Sequence, residues 1–241
     1  MRPIITICAR AGSKGLPGKN TKEFNGKPLI AWTIEQALDW GAGPVVISSD
    51  DPAVKDIFGE YIHRETYFDE RPADLAQDDT PKIAVLRHII FKWLVNTEGK
   101  LPSYIVDLDP TNPCRTVADL EKCRKLFEEN RYKTLISVTD AKKNPFMNQF
   151  LMRNGAPSIP CELPTIVTCR QHAPAVWDVN SNIYFYNVKR LQADKSNSPL
   201  TDKTGIYKMP DYAFCDIDNQ VDFEVAELLH RKYYLNGRSE E

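Results

Sequence analysis

An apolar, β-branched run, Ile4-Ile5-Thr6-Ile7-Cys8-Ala9, passes directly into Arg10-Ala11-Gly12-Ser13-Lys14-Gly15-Leu16-Pro17-Gly18-Lys19-Asn20. The run predicts a short buried strand. Glycines 12, 15 and 18 let the backbone behind it take positive φ and approach a ligand closely, so that several N–H groups converge on one anion. Arg10, Lys14 and Lys19 add charge, Arg as a planar fork and Lys as a mobile point charge. The loop is suited to phosphate, with a plain solvated basic loop as the alternative. It lacks the Gly-Lys-Ser/Thr ending of one common phosphate fingerprint and the second-strand acid of a dinucleotide site.

With 241 residues, 42% of them apolar, and a net charge of −2, the chain is long enough for one α/β domain with a sizeable core. The positive charge is local, which argues against a nucleic-acid binder and for a small anion. Cysteines 8, 114, 123, 161, 169 and 215 form no Cys-x-x-Cys pair and have no histidine at zinc-finger spacing, so neither a disulfide framework nor a zinc site is expected. The leading apolar run is too short for a membrane span, and a cytoplasmic protein is the expectation.

Pro28 suits the start of a helix with Ile30, Ile34 and Leu38 on its core face, ended by Gly41 and Gly43. Val45 to Asp50 reads as the next buried strand, completing a βαβ unit whose strand ends put Arg10 and Ser48 to Asp50 on one rim. Asp50 and Asp51 before Pro52 fit turn and N-cap roles, with ligand binding as the alternative. Arg71 to Thr80 is polar without period; Pro81 to Asn96 has a core stripe at Ile83, Leu86, Ile90 and Leu94. A strand from Tyr104 ends in Asp107-Leu108-Asp109-Pro110-Thr111-Asn112-Pro113, and Thr116 with Asp119 starts another capped helix. Leu135 to Thr139 is a short strand, after which residues 140–182, with five prolines, predict an excursion from the sheet. Tyr184 and Tyr186 share a strand face. Alternation also puts Asp216 and Asp218 on one side of an extended segment, as a pair of hard oxygen ligands for Mg²⁺. Asn219 and Asp222 then cap a closing helix with an apolar stripe at Val221, Val225, Leu228 and Leu229.

Taken together, Arg10-x-Gly-Ser-Lys-Gly-x-Pro-x-Lys-Asn20 after an N-terminal strand, Arg71-Pro-x-x-Leu-Ala-x-Asp78 and Asp216-Ile-Asp218 resemble the acylneuraminate cytidylyltransferase family along almost the whole chain. The resemblance implies a three-layer α/β/α nucleotidyltransferase fold over residues 1–241, with a mostly parallel sheet and a small projecting dimerisation subdomain at 140–182. It further implies a cytoplasmic homodimer that transfers CMP from CTP to a nonulosonic acid. Ala9, Arg10, Ala11, Gly12, Ser13, Lys14, Lys19, Asn20 and Arg71 are then the nucleotide-binding set, and Asp216 and Asp218 hold Mg²⁺. Arg10, Lys14 and Lys19 join the two aspartates as the catalytic set. On the sugar side the resemblance points to Asp107, Asp109, Arg170, Gln171, Asn180 and Tyr184, with Arg170 clamping the sugar carboxylate.

Two departures concern the sugar. Asp107-Leu-Asp109 replaces the family's usual Leu-Gln, and the residues around Asn180 differ from its Arg-Pro-Asn-Gly pattern. The first looks more like members that activate legionaminic acid, and the second points to a sugar other than ordinary N-acetylneuraminate. Pseudaminate, N-acetylneuraminate, KDN and Kdo are the other acids to weigh, and a CTP-binding sensor without turnover is the alternative outside enzymes.

Overall fold

The computed structural model describes residues 2–62, 65–165 and 167–236. The first strand, β1 (Ile4–Cys8), is buried throughout and alternates, with Ile5 and Ile7 in one core cluster and Ile4 and Cys8 in another. After the glycine-rich loop come a two-residue hairpin, β2 (Glu23–Phe24) and β3 (Lys27–Pro28), and helix α1 (Leu29–Trp40). Then follow β4 (Val45–Ser49), α2 (Pro52–Gly59), β5 (Thr66–Glu70), α3 (Lys82–Asn96), β6 (Tyr104–Leu108), α4 (Val117–Glu129) and β7 (Thr134–Asp140). A small hairpin, β8 (Leu151–Arg153) and β9 (Ala156–Ser158), precedes β10 (Trp177–Asn187), α5 (Val188–Ala193), β11 (Thr204–Lys208) and α6 (Gln220–His230).

Seven strands form one sheet in the order β11-β7-β10-β6-β1-β4-β5. Every neighbouring pair is parallel except those of β10, which runs antiparallel to β6 and β7 on its return from the excursion. The period-two alternation divides the sheet's side chains between two helical layers. Ile30 and Ile34 of α1 and Leu120 and Phe127 of α4 pack with Ile5, Ile47 and Val106. On the other face Leu86 and Ile90 of α3 and Leu191 of α5 pack with Ile4, Val46 and Ile105. The architecture is therefore the expected three-layer α/β/α sandwich. Among the described residues no helix is long and apolar enough to cross a membrane.

Local chemistry explains most boundaries. Asp51 accepts from the amide of Ala53 and caps α2, while Thr116/Asp119 and Asn219/Asp222 both form reciprocal capping boxes. Pro28 is the N-cap of α1 and not its first helical residue. The excursion from the sheet lies between Asp140 and Trp177, because Trp177 already pairs with Asp140; the last residues of the 140–182 stretch belong to β10. The stripe expected on α6 is kept at Val225 and Leu229, which pack against the core, and lost at its other two positions. Val221 and Leu228 are 67% and 63% exposed, and the buried face is Phe223, Ala226 and His230. Phe223 packs edge-on to Phe24, and His230 sits against Trp32 and Tyr234, so aromatic contacts with the β2–β3 hairpin fix the face.

Candidate active site

At the carboxyl ends of β1, β4 and β6 lies a cleft of about 400 Å³, where ligands gather in open parallel sheets. One wall is the glycine-rich loop. Only Gly18 there has a positive φ, of 67°. Gly15 matters for another reason: a Cβ on it would lie 2.1 Å from the Asp218 carbonyl oxygen, so only glycine lets the loop touch that segment. Gly12 shows neither constraint. The amides of Gly12, Lys14 and Gly15 have no partner among the described residues. The Ala9 amide is used by the Ser48 carbonyl, and that of Ala11 by Asp50 Oδ1 at 2.9 Å.

The loop's cations have provisional partners. Arg10 Nη1 lies 2.5 Å from Asp78 Oδ1, and Lys14 pairs with the other oxygen of the same carboxylate. Bonds from Lys14 and then Arg10 hold the Asp78 carboxyl below its ordinary pKa. Lys19 donates to the Ile217 carbonyl and to Asp218 Oδ1 at 3.2 Å, tying the loop to the Asp216–Asp218 segment. Asn20 lines the cleft with its Oδ1 buried and unpartnered among the described residues. Such an orphaned acceptor costs free energy until a donor arrives. Arg71 lines the cleft from beneath, and Ser13 completes this wall.

The opposite wall is acidic. Asp109 Oδ1 accepts from Thr111 Oγ1 at 2.8 Å, while Thr111 Oγ1 lies 2.6 Å from Asp216 Oδ1. A hydroxyl has one proton to donate and faces two carboxylates here. The arrangement therefore calls for a proton on Asp216 or a cation beside it. Burial, and then the charge of Asp109, push the Asp216 carboxyl above its ordinary pKa. Asp218 stands at the rim. Among the described residues no three acidic, His or Cys side chains form a metal cluster. Two carboxylates with water and phosphate oxygens nonetheless suit Mg²⁺, which keeps several non-protein ligands.

Lys82, the first residue of α3, also lines the cleft, although the sequence pattern there marks only a core helix. Its Nζ lies 2.7 Å from Asp109 Oδ2 and 3.2 Å from Asp107 Oδ2. Burial alone would lower its pKa, but the two aspartates carry it well above the ordinary lysine value. Burial likewise acts to raise Asp109, and Lys82 overrides it, so Asp109 is held below the usual carboxylate range. A lone lysine beside the Pro81 turn was the only sequence signal for this role.

Of the residues expected on the sugar side, only Asp109 lines the cleft. Asp107 is wholly buried beneath it, accepting from Thr6 Oγ1 at 2.7 Å. Asn180 is spent on structure: its Oδ1 accepts from Ser137 and its Nδ2 donates to the Ala213 carbonyl. Tyr184 stacks on Tyr186 at 6.1 Å. Arg170 and Gln171 lie exposed in a short turn of the excursion, away from the cleft. Cys8 borders the cleft, but burial pushes its thiol up to about 12, which removes it as a nucleophile at neutral pH.

A basic, glycine-rich loop thus faces a carboxylate wall across the strand ends of an α/β fold. A family profile described as Cytidylyltransferase matches residues 4–158, and the chain belongs to that family of nucleotidyltransferase enzymes. It is 30% identical over 236 residues to the post-translational flagellin modification protein B of Campylobacter coli, covering 98% of this chain and 97% of that one. It is 32% identical to a CMP-N,N'-diacetyllegionaminic acid synthase of Campylobacter jejuni, covering 94% of each. The fold matches a CMP:2-keto-3-deoxy-manno-octonic acid synthetase complexed with CTP, with a TM-score of 0.67 at 17% identity over 96% of this chain and 99% of that one.

Proposed function

We propose that this cytidylyltransferase is a CMP-nonulosonic acid synthetase, joining CMP from CTP to the C2 hydroxyl of a nine-carbon 2-keto-3-deoxy sugar acid with release of pyrophosphate. Legionaminate is the first choice of acid. The observation that carries the reading is the opposition of two walls in one cleft: free loop amides with Arg10, Lys14, Lys19 and Arg71 on one, Asp109, Thr111, Asp216 and Asp218 on the other. The 32% identity to the legionaminic acid synthase and the Asp107-Leu-Asp109 strand end support the choice of sugar.

The chemistry is positioning and charge neutralisation. The loop amides, Arg10, Lys14 and Arg71 bind the triphosphate and balance charge on the departing pyrophosphate. Arg10 and Lys14 exchange Asp78 for phosphate oxygens as the nucleotide enters. Asn20 takes a donor from the nucleotide. Lys19 keeps the Asp216–Asp218 segment against the phosphates. Asp109, kept ionised by Lys82, accepts from a sugar hydroxyl. Asp216 and Asp218 would hold Mg²⁺, which when bound would supply positive charge to neutralise the phosphates. The proton of the attacking hydroxyl passes to Asp216 or to water in the cleft.

The protein acts in the cytoplasm as a homodimer in this reading. The exposed arm brings Arg170 and Gln171 to the partner's cleft, where Arg170 clamps the sugar carboxylate. Pyrophosphate release from CTP and Mg²⁺ is the test, with legionaminate, pseudaminate, N-acetylneuraminate, KDN and Kdo offered in parallel. A strong preference for legionaminate supports the reading in full. Preference for another nine-carbon acid keeps the reaction and removes the sugar assignment, preference for the eight-carbon Kdo removes the nonulosonic class as well, and silence on all five removes the synthetase.

A further inference from the structure

Arg71 reaches the cleft from a buried position, 7% exposed, and is held there by a chain of polar groups that the reaction does not use. The chain follows from strand register. Ser48 and Asp69 are paired neighbours on β4 and β5, and parallel pairing puts their side chains on the same face of the sheet, under α3. Ser48 Oγ donates to Asp69 Oδ2 at 2.8 Å. That donation fixes the hydroxyl proton and turns its lone pairs toward Arg71, whose Nε lies 3.3 Å away. Arg71 Nη2 donates to the Ser48 carbonyl at 2.7 Å, and its amide donates to the Ser49 carbonyl. Residue 48 thus binds the Nε–Nη2 edge of the guanidinium, and Nη1 is left with no partner among the described residues.

Asp69 is itself anchored. It is 5% exposed, and its Oδ1 accepts from Lys92 Nζ at 2.5 Å with His88 Nε2 at 3.5 Å, both one turn apart on α3. The chain of bonds runs from the outer surface of α3 through Asp69 and Ser48 to Arg71. We propose that Ser48 and Asp69 are positioning residues that hold Arg71 as a preorganised fork for a phosphate oxygen. This rests on the reading that the cleft takes a nucleoside triphosphate. An arginine fixed before the ligand arrives loses less side-chain freedom on binding, which is why such a chain raises affinity without touching the ligand.

The test is a double-mutant cycle on the full chain with Ser48→Ala, Arg71→Ala and the pair, measuring dissociation constants for CTP and for inorganic tripolyphosphate by calorimetry. Ser48→Ala is expected to weaken both ligands about tenfold. In the Arg71→Ala background the same change is expected to have no further effect. Ser48→Thr, which keeps the hydroxyl, is expected to restore binding. Equal losses in both backgrounds, or wild-type affinity in Ser48→Ala, would overturn the proposal. Asp69→Asn is the second variant should Ser48→Ala melt early, and the same cycle with Arg71→Ala decides it. Wild-type protein that binds tripolyphosphate and not CTP would remove the nucleotide reading while leaving the cycle decisive on tripolyphosphate. Binding of neither would overturn both.

Discussion

Substituting Gly15 by alanine puts one methyl group between the two walls of the cleft. The added Cβ would stand 2.1 Å from the Asp218 carbonyl oxygen and 3.2 Å from its carbon. A comfortable C···O approach is about 3.3 Å, so the loop and the aspartate segment must separate by roughly 1.2 Å. Both are backbone, and no flexible side chain absorbs the shift. The Lys19 bonds to Ile217 and Asp218 span the same junction and lengthen with it. Overpacking of this kind costs about 1–3 kcal/mol. At roughly 2–4 °C per kcal/mol for a chain of this size, the melting temperature falls by about 2–12 °C. Misplacement on the order of 1 Å in the constellation lowers turnover about 10²-fold. Pyrophosphate release and thermal melting by circular dichroism read the two effects separately. Gly12→Ala is the control for the melt, because its Cβ would meet only Arg10 Nη1 at 3.5 Å. Wild-type turnover and melting in Gly15→Ala, or an equal loss of stability in Gly12→Ala, would refute the steric argument.

Asp216→Asn is expected to raise the melting temperature in the absence of divalent cations while lowering turnover by orders of magnitude, because the buried carboxylate beside Asp109 is kept at a cost in stability. Since the folded pKa of Asp216 lies above its unfolded value of 3.8, the unfolded chain releases the proton first, and stability falls as pH rises through that window. The melting difference between Asp216→Asn and wild type should therefore open from pH 3.8 upward and close when Mg²⁺ is added. Arg115, wholly buried, donates to Gln36, Thr33, Asn182 and the Asp109 carbonyl, so Arg115→Ala leaves several acceptors and a cavity. Denaturant unfolding should show a loss of about 3–5 kcal/mol. Asp78→Asn weakens the contacts that occupy Arg10 and Lys14, and should lower the KM for CTP at low ionic strength, with the gain shrinking as salt is added.

The parts of this fold that local chemistry specifies are plain in the sequence. The capping boxes at Thr116 and Asn219 need only side chains three residues apart, and both form. The buried strands β1, β4, β6 and β7 are apolar runs bounded by turns. The edge strands β5 and β11 carry no such signal, because one flank of each faces solvent and their residues are mixed, as in Thr66-Tyr67-Phe68-Asp69-Glu70. On α6 half of the expected stripe, Val225 and Leu229, packs against the core and half, Val221 and Leu228, faces solvent, because two apolar faces compete in the sequence and contact with Phe24 and Trp32 selects between them.

The site divides in the same way. Arg10, Lys14, Lys19, Asn20, Asp216 and Asp218 were legible as motifs and converge on one cleft. Gly15 is legible as a close-approach glycine, but what it approaches is the Asp218 backbone, and its φ is not positive. Lys82 and Asp69 act through partners far away in the chain, and nothing adjacent in sequence marks them.

The central claim is that the two walls join a nucleotide to a sugar acid. Mass spectrometry of the products formed from CTP, Mg²⁺ and the five acids, with pyrophosphate measured in the same tube, tests it most directly. The account predicts a CMP-sugar acid conjugate formed one for one with pyrophosphate, and neither product when the acid is left out. CTP returned unchanged with every acid, or CTP hydrolysed to CMP without a conjugate, would contradict it.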